Sequence, residues 1–315
     1  MRPMTQAFKC SCLMIRRFEP DCKIRSRTRR MNIEEFENRL KAFRPRLHRY
    51  CARMTGSAVD GEDVLQDALV KALRARADGM VVYNFEGWLL RIAHHTSLDF
   101  LRGRSRNPIV PLTADAEAAP IPEADIVAVS IQTFLQLPEL QRCAVILKDV
   151  LGHSVEEIAS VAECTPAAAK SALQRGRVAL RQLAHVSDVT RLPLMSDDAR
   201  RKIAAYVHLF QIGDFDSIRA MLADDVKLDL VNRLKLEGRE KVDVYFTRYA
   251  QERKWRFSLG AVEGQPCMLV FDSTGSMDRP AHFVLIDWSE NRLVTIRDFL
   301  YAPYALEAIE WVRLG

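Results

Sequence analysis

No stretch of this 315-residue sequence approaches the roughly 18 to 20 uninterrupted apolar residues that a bilayer crossing needs, so the chain reads as soluble and cytoplasmic, with no membrane partner. Its seven cysteines are odd in number and scattered, with no C-x-x-C pair and no histidine at ligand spacing, which excludes a disulfide framework or a zinc site as the organising element. No metal and no cofactor is expected. Internal repeats and low-complexity segments are absent, and so is a strong overall charge of one sign. The net charge of +5 is concentrated in residues 1–30, where nine Lys/Arg face only Glu19 and Asp21, so the rest of the chain is slightly acidic. That tail, with Arg16, Arg17, Lys23, Arg25, Arg27, Arg29 and Arg30, has no helical or strand period. It reads as a basic disordered tail or as a leader ahead of a true start at Met31. The apolar run from Cys12 to Ile15 is too short for a signal-peptide core.

What the sequence does hold, 48% hydrophobic and 28% charged residues, is enough for two or three modest domains. Periodicity divides it into a helical block (31–107), a Pro/Ala-rich connector (108–125), a second helical block (126–188), a short linker (189–196) and a mixed region (197–315). In the first block Val64, Leu65, Ala68, Leu69, Ala72 and Leu73 recur at helical spacing, as do Leu89, Ile92, Ala93, Thr96 and Phe100. The connector has four prolines and no period, which predicts an extended tether between separately folding units. In the second block Leu137-Pro138 divides two helices, with Pro138 in the first turn of the second, and Gly152 is a stop signal. Ser154 with Glu157 predicts a capping box for a short helix. Thr165-Pro166 then opens a longer basic one, a helix-turn-helix signature. Beyond Met195 the pattern predicts helices at 197–212, 215–223 and 239–251, a strand at 226–231, and runs that alternate between apolar and polar positions as strands at 254–262, 267–273, 281–288 and 292–301. Helices followed by antiparallel strands give an α+β domain with a curved sheet.

Two stretches, DGEDVLQDALVKAL (60–73) and FEGWLLRIAHHTSLDFLRGRSR (85–106), together resemble the second conserved region of RNA polymerase sigma factors. The stretch from 137 to 183, with its L-P, E-I-A and R-G-R landmarks, resembles their fourth conserved region. With no third region between them, the arrangement resembles that of the extracytoplasmic-function group. The expected fold is therefore multidomain: two all-α domains, the second with a helix-turn-helix, followed by an α+β domain.

Spacings of three and four place Glu62, Asp63, Gln66 and Asp67 on one helix face opposite the apolar stripe, an acidic surface suited to a basic partner. The resemblance implies that this partner is the clamp coiled coil of the polymerase largest subunit, with the flap of the second-largest as a further contact. Alone, the same pattern fits a solvated helix face. On the next helix Arg91, His95, Leu98 and Arg102 lie roughly on one side with His94 beside them, and Arg102, Arg104 and Arg106 extend the positive charge towards phosphates. The resemblance implies that this face melts the minus-ten promoter element and holds a flipped base. His95 stands where the family often has Asn. In the helix opened by Thr165, the residues Lys170, Ser171 and Gln174 are expected to read bases of the minus-35 element, and Arg175 and Arg177 to hold phosphates or support packing. Ala167, Ala168, Ala169 and Ala172 would leave room for close approach to the groove.

Residues 198–315 resemble the SnoaL-like family of cone-shaped α+β domains by element order and the IRDFLYAPY segment (296–304). The resemblance implies a regulatory part in place of a separate anti-sigma protein. Neither a W-L-P-E-like linker nor a D-G-G-G-K motif accompanies it. Enzymatic relatives use a buried acid or base in the cone, for which Tyr206, Phe210, Asp229, Asp287 and Asp298 are the lining candidates; small-ligand sensing and intramolecular docking are the alternatives. Three functions stand: a non-enzymatic sigma factor with a fused control domain, a ligand-responsive operator-binding regulator working without polymerase, and an isomerase or cyclase with a DNA-binding appendage.

Overall fold

The computed structural model describes residues 32–104, 129–184, 196–307 and 309–314. The basic tail, Arg106, the Pro-rich connector and most of the second linker lie outside them. Helix α1 (Ile33–Thr55) starts where Asn32 accepts the Glu35 amide at 2.7 Å and stops at Gly56, whose φ of 71° suits the left-handed cap. Helix α2 (Ala58–Ala77) follows at once behind Ser57, and α3 (Phe85–Arg104) packs on both. Gly61 fixes how closely α2 crosses α1, because a Cβ there would lie 2.6 Å from the Cα of Ala52.

The second helical block opens with a 3-10 turn (Ile131–Gln136) held by i to i+3 bonds such as Thr133 N to Ser130 O at 3.0 Å, not with the α-helix expected before Pro138. Pro138 is the cap of α4 (Glu139–Val145), which continues through one π turn (Ile146–Val150). The Ser154–Glu157 capping box starts α5 (Val155–Val161), and Thr165 caps α6 (Pro166–Ala184) by accepting the Ala168 amide at 3.2 Å. The two blocks, expected to fold separately, share one core: Tyr50, Met54, Leu65 and Leu89 are continuous with Phe134, Val145, Leu147 and Ile158. Arg142 locks them together by donating to the carbonyls of Met54 at 2.6 Å and Leu137 at 2.9 Å.

The C-terminal part has helices α7 (Asp197–Ile212), α8 (Phe215–Met221) and α9 (Arg239–Gln251) packed on one face of a seven-stranded sheet. Its strands are β1 (Leu222–Leu230), β2 (Leu234–Glu237), β3 (Trp255–Val262), β4 (Gln265–Asp272), β5 (His282–Ser289), β6 (Arg292–Asp298) and β7 (Trp311–Arg313), in the order β2-β1-β6-β5-β4-β3-β7. Among the described residues β1 and β6 pair in parallel and the other strand pairs are antiparallel. The short strands β2 and β7 have no counterpart in the sequence expectation.

The expectation that these strands alternate between an apolar and a polar face fails for β4 and β5. In β4, Met268 and Val270 face α7 and α9, while Cys267, Leu269 and Phe271 enter a second cluster with Phe283, Leu285 and Phe299. Ala52, Ala58 and Ile131 of the helical blocks belong to that second cluster. The sheet is therefore sandwiched between its own helices and the two N-terminal helical blocks, and strands buried on both faces read as continuous apolar runs.

Candidate interaction surfaces

The acidic face of α2 is not the solvated surface its spacing suggested. Glu62 is 0% exposed, and its carboxylate is bound by the Arg44 guanidinium, by the Tyr304 hydroxyl at 3.0 Å and by the Gln66 amide at 3.2 Å. Burial pulls the Arg44 guanidinium down, but Glu62 and Tyr304 more than offset this and raise it. Asp63 is gripped by both terminal nitrogens of Arg297, one of them at 3.1 Å. Gln66 is half-buried and Asp67 exposed. The sequence could not anticipate this, because the group that covers the face comes from residues 297–304.

On α3, His94 points inward: its Nδ1 meets the Tyr50 hydroxyl at 2.7 Å, and burial, helped by His95 and Arg102, pushes its pKa down to about 4. Leu98 is buried as well, so two members of the proposed reading face belong to the core. Arg91 donates to Ser160 at 2.8 Å and His95 lies 3.5 Å from Glu163, so both approach α5 and its following turn. Arg102 is exposed beside Asp99 at 3.9 Å, and Arg104 pairs with Asp60 while its guanidinium lies 5.6 Å from the Phe100 ring centroid. Arg106 lies outside the described residues.

On α6, Lys170, Ser171, Gln174 and Arg175 are all exposed and share the N-terminal half of the helix with Thr165. Ala169 and Ala172 do not face outward to ease groove entry; both are buried in the common core. The Arg177 guanidinium is partly buried and pairs with the fully buried carboxylate of Asp149 near the end of α4's π turn.

The cone brings together Tyr206, Phe210 and Asp298, whereas Asp229 and Asp287 are elsewhere. Asp229 lies on the other face of β1, 3.3 Å from Lys235, and Asp287 is exposed. Around Asp298 stand residues the sequence reading missed. Tyr245 and Tyr249 donate to its Oδ2 at 3.0 and 2.8 Å, the Leu300 amide donates to Oδ1 at 2.9 Å, and His282 reaches the Tyr249 oxygen at 2.8 Å. The i, i+4 spacing of the two tyrosines on α9 was the available signal. Aromatic rings fill the space next to them, with Phe210 4.9 Å from Tyr206 and 5.4 Å from Tyr249. Burial lowers the His282 pKa and raises the three tyrosine hydroxyls. Among the described residues no cluster of His, Cys, Asp and Glu could hold a metal, and no helix is long and apolar enough to cross a membrane.

The family model described as Sigma-70 region 2 matches residues 40–107, and that described as Sigma-70, region 4 matches residues 131–180. The chain is 29% identical over 215 residues to the ECF RNA polymerase sigma factor SigG of Mycobacterium tuberculosis, a match covering 58% of each chain. The chain thus spans less than two thirds of that relative's length. It is 30% identical over 179 residues to the RNA polymerase sigma-H factor of Pseudomonas aeruginosa, covering 51% of this chain and 92% of that protein. Among solved structures, the Mycobacterium tuberculosis extracytoplasmic function sigma factor SigJ overlays 83% of this chain and 95% of its own, at a TM-score of 0.33 and 20% identity.

Proposed function

The chain belongs to the extracytoplasmic-function sigma factors of the sigma-70 family, and from that premise we propose that it directs promoter-specific transcription initiation as a dissociable, non-enzymatic subunit of RNA polymerase in the cytoplasm. In this reading Asp63, Gln66 and Asp67 of α2, together with Glu62, form the docking face for the clamp coiled coil, while the second helical block contacts the flap. Helix α3 offers Arg91, His95, Arg102 and Arg104, with Arg106 beyond its described end, to the minus-ten element. His94 acts from behind by holding the helix on Tyr50. Helix α6 offers Lys170, Ser171 and Gln174 to base edges of the minus-35 element and Arg175 to phosphate, with Arg177 keeping the helix in place.

The observation that carries the reading is the exposed polar row on the N-terminal half of α6. It stands on a helix whose opposite face is anchored through Ala169, Ala172 and the Arg177–Asp149 pair, as groove entry by a recognition helix requires. A non-enzymatic role is supported by Asp298, whose oxygens accept from Tyr245, Tyr249 and Leu300 and so already hold partners. The C-terminal domain then serves control. Transcription in vitro with purified core polymerase, the full chain and a promoter library tests the proposal. Promoter-specific transcripts that depend on the chain are expected. Tight binding to duplex DNA without core binding and without transcripts would instead favour an operator-binding regulator.

A further inference from the structure

Helix α5 and the turn behind it lie along the part of α3 that carries Arg91 and His95. Those two residues stand one helical turn apart, as do Ser160 and Glu163 across the end of α5, so two short rows face each other. The Arg91 guanidinium donates to the Ser160 hydroxyl at 2.8 Å, and the Glu163 carboxylate lies 3.5 Å from Nε2 of His95. Beneath them Leu89 and Ala93 share the common core with Ile158, which keeps the rows in register. Glu163 sits in the turn of the helix-turn-helix with a φ of 52°, left-handed backbone in which an L side chain is strained and glycine is not. Its carboxylate turns to His95 and not to the first amides of α6, where Thr165 already caps the Ala168 amide. Neither backbone geometry nor helix capping therefore accounts for a glutamate in this turn, whereas contact with α3 does.

We infer that Glu163 is a built-in substitute for a DNA phosphate: with Ser160 it occupies the donors of His95 and Arg91, so nucleic acid reaches this part of α3 only by displacing the helix-turn-helix turn. This deepens the sigma-factor reading and rests on it. A carboxylate offers an imidazole the same charge and acceptor oxygens that a phosphate would, and the Ser160 hydroxyl takes up the guanidinium proton that a phosphate oxygen would accept. The cover is partial. Further along α3, Arg102 and Arg104 find their partners in Asp99 and Asp60, on α3 and α2 and not on α5. The His95 and Glu163 side chains are about half exposed, which makes the pair weak and suits a contact that has to break when DNA binds.

The test measures binding of randomised single-stranded DNA to the full chain by fluorescence anisotropy at low salt. Glu163→Gly removes the carboxylate and suits the left-handed turn, so the variant keeps its fold. Ser160→Ala frees Arg91 with no change of charge and carries the test should the altered turn shift. Glu163→Gly should bind about three- to fivefold more tightly than the unaltered chain, the span set by one exposed ion pair, and Ser160→Ala about twofold. The gain from Glu163→Gly should vanish in the His95→Ala background, because both changes then act on one contact. A gain that persists without His95 is plain repulsion between the glutamate and DNA ahead of α6, and it overturns the inference. Unchanged or weaker binding by both single variants, or no binding by any form, overturns it as well. Each of these results leaves the sigma-factor reading standing; failure of the unaltered chain to bind purified core polymerase would overturn that reading separately.

Discussion

The Tyr50 hydroxyl lies 2.7 Å from Nδ1 of His94 and 3.4 Å from the sulfur of Cys143, so one phenol on α1 joins α3 to α4 at the centre of the shared core. That position has a consequence for pH. Burial holds His94 at about 4, and it lowers His48 and His282 too. All three titrate near 6.5 when unfolded, so below that pH the unfolded chain takes up protons that the folded chain refuses. The stability these groups contribute is therefore complete above about pH 7 and is lost as the pH falls from 6.5 towards 4, with His94 accounting for at most roughly 3 kcal/mol. The Glu263 carboxyl, raised by burial, acts in the opposite sense. Denaturant unfolding between pH 8 and pH 4.5 checks this, and a flat profile would contradict it.

Gly61→Ala should destabilise the protein even though alanine favours helix. The new Cβ would stand 2.6 Å from both Cα and N of Ala52, and backbone cannot move aside as a flexible side chain can. The expected loss is about 1 to 3 kcal/mol, against a helix-propensity gain of up to about 1 kcal/mol. Thermal unfolding of the single variant decides the sign.

Asp298→Leu should cost about 3 kcal/mol or more, because it strands two tyrosine hydroxyls and the Leu300 amide without their acceptor inside the cone. Asp298→Asn keeps an acceptor oxygen and should lose clearly less. Equal unfolding midpoints for the two variants would mean that the cluster does not hold the cone together.

On promoter DNA, Lys170→Ala should weaken discrimination at the upstream element by about 1 to 3 kcal/mol if the ammonium reads a base edge. Arg102→Ala should leave that discrimination alone and slow promoter opening. Competition binding with base-substituted promoters and a fluorescent opening assay separate the two. Normal transcription by both variants would move the DNA-reading faces elsewhere.

Much of the local structure was legible because it depends on near neighbours. The Ser154–Glu157 box, the Thr165 cap and the apolar stripe of α2 from Val64 to Ala72 each join residues within a few turns and form as their spacing implied, although Leu73 at the end of that stripe is exposed. The alternating pattern of the last strands was misread at β4 and β5, where side chains on both sides are apolar because both sides are covered. In the candidate sites, Lys170, Ser171, Gln174 and Arg175 stand outward as read, but His94, Leu98, Ala169 and Ala172 turned into the core. A helical wheel ranks the faces of one helix and says nothing of how many neighbours that helix has.

By itself the sequence determined the family, the order of the longer helices and strands, and the polar row on α6, all properties of chain segments that pattern locally. Only the tertiary structure decided that Arg297 would find Asp63, that Tyr304 would close over Glu62, and that Tyr245, Tyr249 and His282 would gather at Asp298. Those pairings link groups far apart in the chain. Their geometry exists only after two cores and a doubly buried sheet have fixed where each backbone runs, and no spacing along the chain encodes it.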